Sequence, residues 1–295
     1  MRSFLIVTNP ISGAKKGPSL AEKVTSVLGE ASIPSRIIFT DPLRSLKDQA
    51  VAGALGTRPP TDLMVIGGDG TLNAAINAFG DEWPLSIIPA GTGNDFVKNI
   101  SVGKSLDQQI QTALHGQVKA IDVGICNGRR FLNGVGVGFD GQVVKEMLQQ
   151  KTWMKGHLAY YGVVIKILSS YREQALSLHW DETKIEDDLF LLTVGNGTTF
   201  GGGFRLTPNA QLDDGLLDVC VIRKIPAWRR FANIHRLSKG THFDLEEVTE
   251  HRTSSLQIKG SNGVAAHIDG EYFGHPPFDI SLERQAARVR ISSNR

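Results

Sequence analysis

The feature that most constrains this chain is a strand-like run that passes directly into a cluster of glycines and then into a helix-like segment. Residues 63–66 (LMVI) form a short apolar run with no polar break, as a buried strand does. Gly67-Gly68-Asp69-Gly70-Thr71-Leu72-Asn73 follows at once, and the spacing predicts a helix over 71–79. Glycines allow backbone dihedrals closed to other residues and let a bulky anion approach the main chain. The start of a helix offers N–H groups and a positive dipole end to such an anion. Asp69 stands where a carboxylate could help hold Mg2+, and Thr71 brings a hydroxyl.

The flanking pattern repeats the strand-and-helix theme. Residues 3–8 (SFLIVT) read as a strand ending in the turn Asn9-Pro10, and Leu20, Val24, Val27 and Leu28 share one face of a helix over 19–31. Residues 35–40 and 85–88 read as further strands, and 43–55 as a helix. Such alternation implies a parallel sheet wrapped by helices. A second glycine turn, Pro89-Ala90-Gly91-Thr92-Gly93-Asn94-Asp95, follows the 85–88 strand. Parallel strands release their loops along one edge, where ligands bind. Asn9, Pro10, Ser12, Gly13 and Thr40 would lie on that edge with both glycine turns.

The character changes near residue 118. Runs such as AIDVGIC, ALSLHW, DLFLLTVGN, LLDVCVI and PFDISLE are short, β-rich and often alternating, which suggests an antiparallel sandwich. Helical patches at about 140–171 and 226–240 interrupt them. Formal net charge is only +2, so nothing points to a dedicated nucleic-acid binder. No uninterrupted apolar run approaches the roughly 18 residues of a membrane span, and the N-terminal apolar stretch is too short for a signal peptide. Cys126 and Cys220, in no metal or redox spacing, read as small buried groups in a reducing compartment.

In order along the chain, NPISG, GGDGTLN and PAGTGND resemble the nucleotide-binding half of the diacylglycerol kinase catalytic family, which includes bacterial lipid kinases and sphingosine kinases. Gly138-Phe139-Asp140, Asn196-Gly197 with Gly201-Gly202-Gly203, the segment Pro208 to Asp218, and Asp269-Gly270-Glu271 resemble later motifs of that family. The resemblance implies an α/β fold class. Residues 1–124, rejoined by about 284–295, would form an NAD-kinase-like three-layer nucleotide domain, and 125–283 an antiparallel β-sandwich with inserted helices. It implies ATP and Mg2+ as cofactors. The nucleotide-binding set becomes Asn9, Pro10, Ser12, Gly13, Thr40, Gly67, Gly68, Asp69, Gly70, Thr71, Asn73, Gly91, Thr92 and Asn94. Glu271, with Asp69, would be catalytic, and Asp95 and Asp140 would face the substrate. Without the resemblance, Asp269-Gly270-Glu271 reads only as a hairpin turn. A Mg2+ site is carried over to Gln211 and Leu216 through backbone oxygens and to Asp214 through its carboxylate.

The acceptor expected first is diacylglycerol; a sphingoid base or another lipid alcohol is the alternative. NAD kinase, which shares GGDGT, and a non-catalytic nucleotide-binding regulator are the competing functions. Aromatic and basic residues mix at Lys151, Trp153, Met154, Lys155, Leu158, Tyr160, Tyr161 and Lys166, and again at Trp228, Arg229, Arg230, Phe231 and Arg236. That mixture suits contact with a membrane surface from the cytoplasmic side, although helices packed on the sandwich would look the same. The reading leaves room for a homodimer and none for nucleic acid. Gly136-Val137-Gly138-Phe139-Asp140-Gly141 matches G-x-G-x-x-G but lacks the strand and acidic residue that a dinucleotide site needs. Lys15-Lys16 lacks the rest of a P-loop.

Overall fold

A computed structural model describes residues 2–10, 12–41, 44–51, 59–149 and 157–293, without the side chains of 12–15, 50–51 and 157–159. The chain divides into two compact units, residues 1–121 with 284–295, and residues 122–283.

The first unit is built from β1 (Phe4–Thr8), α1 (Ser12–Glu30), β2 (Ser35–Phe39), α2 (Leu46–Val51), β3 (Asp62–Gly67), α3 (Asp69–Phe79), β4 (Leu85–Pro89) and α4 (Leu106–His115). Its sheet runs β4–β3–β1–β2, every pair parallel. Both faces of this sheet are covered, so its central strands are apolar throughout; all five residues of β1 and all six of β3 are buried. Phe4, Ile6, Met64 and Ile66 pack with Ala21, Val24 and Leu28 of α1 and with Ile110 and Ala113 of α4. Helix α1 starts at Ser12, seven residues earlier than periodicity indicates, and carries Pro18 within it. The early turns hold glycines and lysines rather than apolar residues, so they leave no periodic signal. Arg290 and Arg2 both reach the buried carboxylate of Asp62, the former at 2.6 Å and the latter at 3.1 Å.

Strand β5 (Gln117–Cys126) leads into the second unit. There follow β6 (Arg129–Phe131), β7 (Gly134–Gly138), α5 (Phe139–Gln149), α6 (His157–Ser170), β8 (Gln174–Trp180), β9 (Thr183–Gly195), β10 (Leu217–Arg223), α7 (Ala227–Lys239), β11 (Val248–Thr253), β12 (Ser255–Gly260), β13 (Ala266–Ile268), β14 (Glu271–Gly274) and β15 (Phe278–Ile291). The pairings β14–β13–β7–β9–β8–β12–β15 and β9–β10–β11 are all antiparallel. Strand β10 shows why its sequence is nearly all apolar. Leu217, Val219 and Val221 enter the core between the sheets, while Cys220 and Ile222 pack under the helices with Val164, Leu168 and Phe190. The end of β15 returns to the first unit, where Val289 lies beside Leu85 of β4 in parallel. Both cysteines are buried and free, and burial pushes the Cys126 thiol up to about 12.

Candidate active site

In the first unit, the loops after β1, β2, β3 and β4 leave the same edge of the sheet. Asn9 and Pro10 follow β1, and Thr40 follows β2 with its N–H on the Thr8 carbonyl at 2.8 Å. Of Ser12 and Gly13 only the helical backbone is described, opening α1 at this edge. The two glycine turns meet backbone to backbone. A methyl group on Gly91 would stand 2.5 Å from the Gly68 Cα, and one on Gly68 would stand 3.0 Å from the Gly91 Cα. Gly67 accepts the Ala90 N–H at 2.9 Å, which sets the register of this contact.

Asp69 joins the turns covalently distant but spatially adjacent. Its two carboxylate oxygens take the N–H groups of Asp95 and Phe96, each at 3.1 Å. Asn94 adopts a positive φ of 48° and closes its own turn, its amide oxygen accepting the Gly91 N–H at 3.0 Å. Helix α3 begins at Asp69 with Gly68 as N-cap and no side-chain cap, so its first N–H groups face the loop edge. Thr71 and Asn73 are buried in the first turns of α3, and Asp95 pairs with Lys98 at 2.6 Å. Gly70 lies in the same first turn, and Thr92 is exposed at the tip of the second. This constellation can seat phosphate groups on main-chain donors.

In the second unit, Asp269-Gly270 forms the two-residue turn of the β13–β14 hairpin. Both residues have positive φ, 47° and 82°, and Ile268 pairs with Glu271 across the turn. That is the primed turn whose twist suits a hairpin. The turn is held by Asp269 itself, a buried carboxylate that accepts N–H groups from Leu132, Asn133 and Gly134 at 2.9–3.0 Å. Glu271 opens β14 half-exposed and forms an ion pair with Arg129, whose guanidinium also lies 5.8 Å from the centre of the Phe273 ring. Asp140 sits at the start of α5 with Oδ1 on the Gly141 N–H at 2.8 Å. Burial, and then the Asp140 charge, push the nearby Tyr171 hydroxyl upward, so it stays a neutral phenol.

The 208–218 segment forms a loop ending at β10. Asp214 accepts the Leu216 N–H at 3.0 Å and pairs with Arg252. Asp122, in β5, accepts the Gly215 N–H at 2.7 Å and is 1% exposed. Asp218 is fully buried with the Arg252 guanidinium 3.7 Å away, and burial, only partly offset by that cation, raises it to about 6. The all-oxygen donor set of the loop suits Mg2+. Among the described residues no group of three or more His, Cys, Asp or Glu side chains could hold a metal, so any site here depends on backbone oxygens.

Asp122, Arg129 and His267, whose Nδ1 accepts the Gly270 N–H at 3.3 Å, are site-building residues that the motifs alone do not mark. Asp122 leaves the clearest trace, a carboxylate inside the apolar alternation AIDVGIC. Of the two aromatic-basic patches, Lys151, Trp153, Met154 and Lys155 lie outside the described residues, as does the Leu158 side chain. On α7, Trp228 is 71% exposed and Phe231 43%. Arg230 is buried instead, and Arg229 pairs with Glu247. Among the described residues no helix is long and apolar enough to cross a membrane.

The fold and the paired glycine turns define an NAD-kinase-like α/β unit joined to an antiparallel β-sandwich. More particularly, the chain belongs to the diacylglycerol kinase catalytic-domain family of lipid kinases. Residues 3–126 match the diacylglycerol kinase catalytic domain, and residues 133–291 match the YegS C-terminal NAD kinase beta sandwich-like domain. A diacylglycerol kinase of Mycobacterium tuberculosis is 30% identical over 292 residues, covering 96% of this chain and 93% of the relative. One from Bacillus subtilis is 26% identical, covering 94% and 92%. The crystal structure of a putative diacylglycerol kinase from Bacillus anthracis has the same fold, with a TM-score of 0.79 at 23% identity, covering 99% and 96%. An NAD kinase from Archaeoglobus fulgidus, solved in complex with ATP, aligns with a TM-score of 0.55 at 12% identity, covering 98% and 94%.

Proposed function

We propose that this lipid kinase transfers the γ-phosphate of ATP to the free hydroxyl of diacylglycerol, giving phosphatidic acid. The observation that carries the reading is Glu271, a half-exposed carboxylate on a turn locked by the buried Asp269. Phosphoryl transfer to an alcohol needs an acceptor for the hydroxyl proton and a rigid cradle for the phosphates. Glu271 takes the proton as the acceptor oxygen bonds to the γ-phosphorus and the bond to the bridging oxygen of ADP breaks. The α3 N-terminus and the Gly68–Gly91 contact supply the cradle, with Asn9, Thr40, Thr71 and Asn94 around it. Asp69 keeps the two glycine turns together, and Asp95 and Asp140 are the carboxylates proposed to contact the acceptor.

Gln211 and Leu216, through backbone oxygens, and Asp214, through its carboxylate, would hold a Mg2+ ion. When bound, Mg2+ supplies positive charge that stabilises anionic groups near it. The acceptor is reached at a membrane surface from one side. Exposed Trp228 and Phe231 on α7, and Tyr161 and Ile165 on the adjoining α6, support this peripheral contact.

Glu271→Gln keeps the shape of the side chain and removes its capacity as a base. Turnover on diacylglycerol falls at least about a hundredfold, with ATP affinity little changed. Near-normal turnover in this variant rules out Glu271 as the base.

A further inference from the structure

Behind the Asp269-Gly270 turn lies a buried histidine that the proposed chemistry leaves unused, set against the Asp140 carboxylate. His267, on β13, is 5% exposed, and its Nδ1 accepts the Gly270 N–H at 3.3 Å. A ring nitrogen that accepts carries no proton, so in the neutral imidazole the proton sits on Nε2. Nε2 lies 3.4 Å from Oδ2 of Asp140, a buried oxygen with no hydrogen-bond partner of its own. The other Asp140 oxygen is fixed on the Gly141 N–H. The carboxylate therefore faces the imidazole donor and favours this tautomer over the one with hydrogen on Nδ1.

The sequence makes room for this pair at Gly136 of β7. A methyl group there would stand 2.0 Å from Asp140 Oδ2 and 2.4 Å from His267 Nε2. His267 and Gly136 are partners in the β13–β7 ladder, so the missing side chain opens space where the imidazole lies. The glycine that makes the segment resemble a dinucleotide fingerprint is thus explained by packing of a polar pair.

We propose that His267 is a positioning residue for Glu271. Asp140 fixes the imidazole tautomer, Nδ1 fixes the Gly270 N–H, and the Asp269 carboxylate fixes the opposite side of the turn. With both turn residues held at positive φ, the first residue of β14 emerges at one angle. The inference rests on the reading of Glu271 as the base.

Two variants separate positioning from mere packing. His267→Asn places an amide oxygen where Nδ1 stands and keeps an acceptor for Gly270. His267→Gln places its amide where Nε2 stands and leaves the Gly270 N–H without an acceptor. Both are measured with the full chain on diacylglycerol and ATP, beside wild type and Glu271→Gln, with thermal unfolding as a check on folding. The expected result is a loss of about tenfold in kcat for His267→Gln, equivalent to about 1.4 kcal/mol. Its KM for ATP stays within about twofold, because the nucleotide residues belong to the other unit, and His267→Asn recovers kcat to within about threefold of wild type. Equal losses in both variants, wild-type kcat in His267→Gln, or an effect on KM alone overturns the proposal. Should His267→Gln not fold, a folded His267→Asn with kcat reduced tenfold or more overturns it as well. Normal turnover in Glu271→Gln shows instead that the base was misassigned, and the positioning role falls with it.

Discussion

Replacing Arg230 with methionine tests whether this cation belongs to the fold or to a surface. Its guanidinium donates to the Ile225, Leu168 and Tyr171 carbonyls at 2.8, 3.1 and 2.9 Å, and to Glu173 at 2.6 Å. It also lies 4.6 Å from the centre of the Phe190 ring. The partner Glu173 is itself nearly buried, its side chain 11% exposed. Methionine preserves much of the stem but strands three carbonyls and a carboxylate. Breaking such a buried pair costs about 3–5 kcal/mol, most of it the charge left unpaired. For a domain of this size that loss lowers Tm by roughly 10 °C. Adding Glu173→Gln to Arg230→Met recovers part of the loss, since the stranded group is then neutral. The assay is thermal unfolding of wild type, both single variants and the double variant. A fall below about 2 °C in Arg230→Met refutes the reasoning. Tests of membrane contact on α7 therefore belong at Trp228 and Phe231 rather than at Arg230.

Gly91→Ala drives a methyl group to within 2.5 Å of the Gly68 Cα, so the glycine turns must separate. ATP affinity measured by calorimetry falls at least about tenfold while the second unit's unfolding is unchanged; unaltered affinity places the phosphates elsewhere. His242 is fully buried, with Nε2 3.1 Å from the Leu206 carbonyl, and burial lowers it below the ordinary 6.5. The unfolded chain then binds the proton more readily than the folded one, so stability is lost as pH falls below about 6.5. His242→Gln flattens the stability curve in that range by up to about 1.4 kcal/mol per pH unit; an unchanged slope in urea unfolding contradicts the burial argument.

Much of the first unit is legible because its signals are local. The apolar run 63–66, the glycines after it and the 71–79 periodicity identify β3 and α3 to within two residues. The meeting of Gly68 with Gly91 follows from parallel topology, which the alternating elements imply. The start of α1 is not legible, because its first turns carry no apolar stripe. In the second unit the resemblance directs attention to Glu271, whereas spacing shows only a hairpin. What holds that hairpin is contributed from far away in sequence. Asp269 reaches residues 132–134, Arg129 reaches Glu271, and Asp140 reaches His267. Contacts across more than a hundred residues leave no periodicity in one sequence. Arg230 illustrates the converse. Beside Trp228 and Phe231 it reads as a surface cation, yet its partners, Glu173 and the end of α6, are more than fifty residues away.

The most direct test of the central claim is transfer of labelled phosphate from the γ-position of ATP by purified protein to a panel of acceptors. The panel holds diacylglycerol, a sphingoid base and a monoacylglycerol in mixed micelles, with NAD in solution. The account predicts label in phosphatidic acid, dependent on Mg2+ and lost in Glu271→Gln. Label in NAD and in no lipid would contradict it.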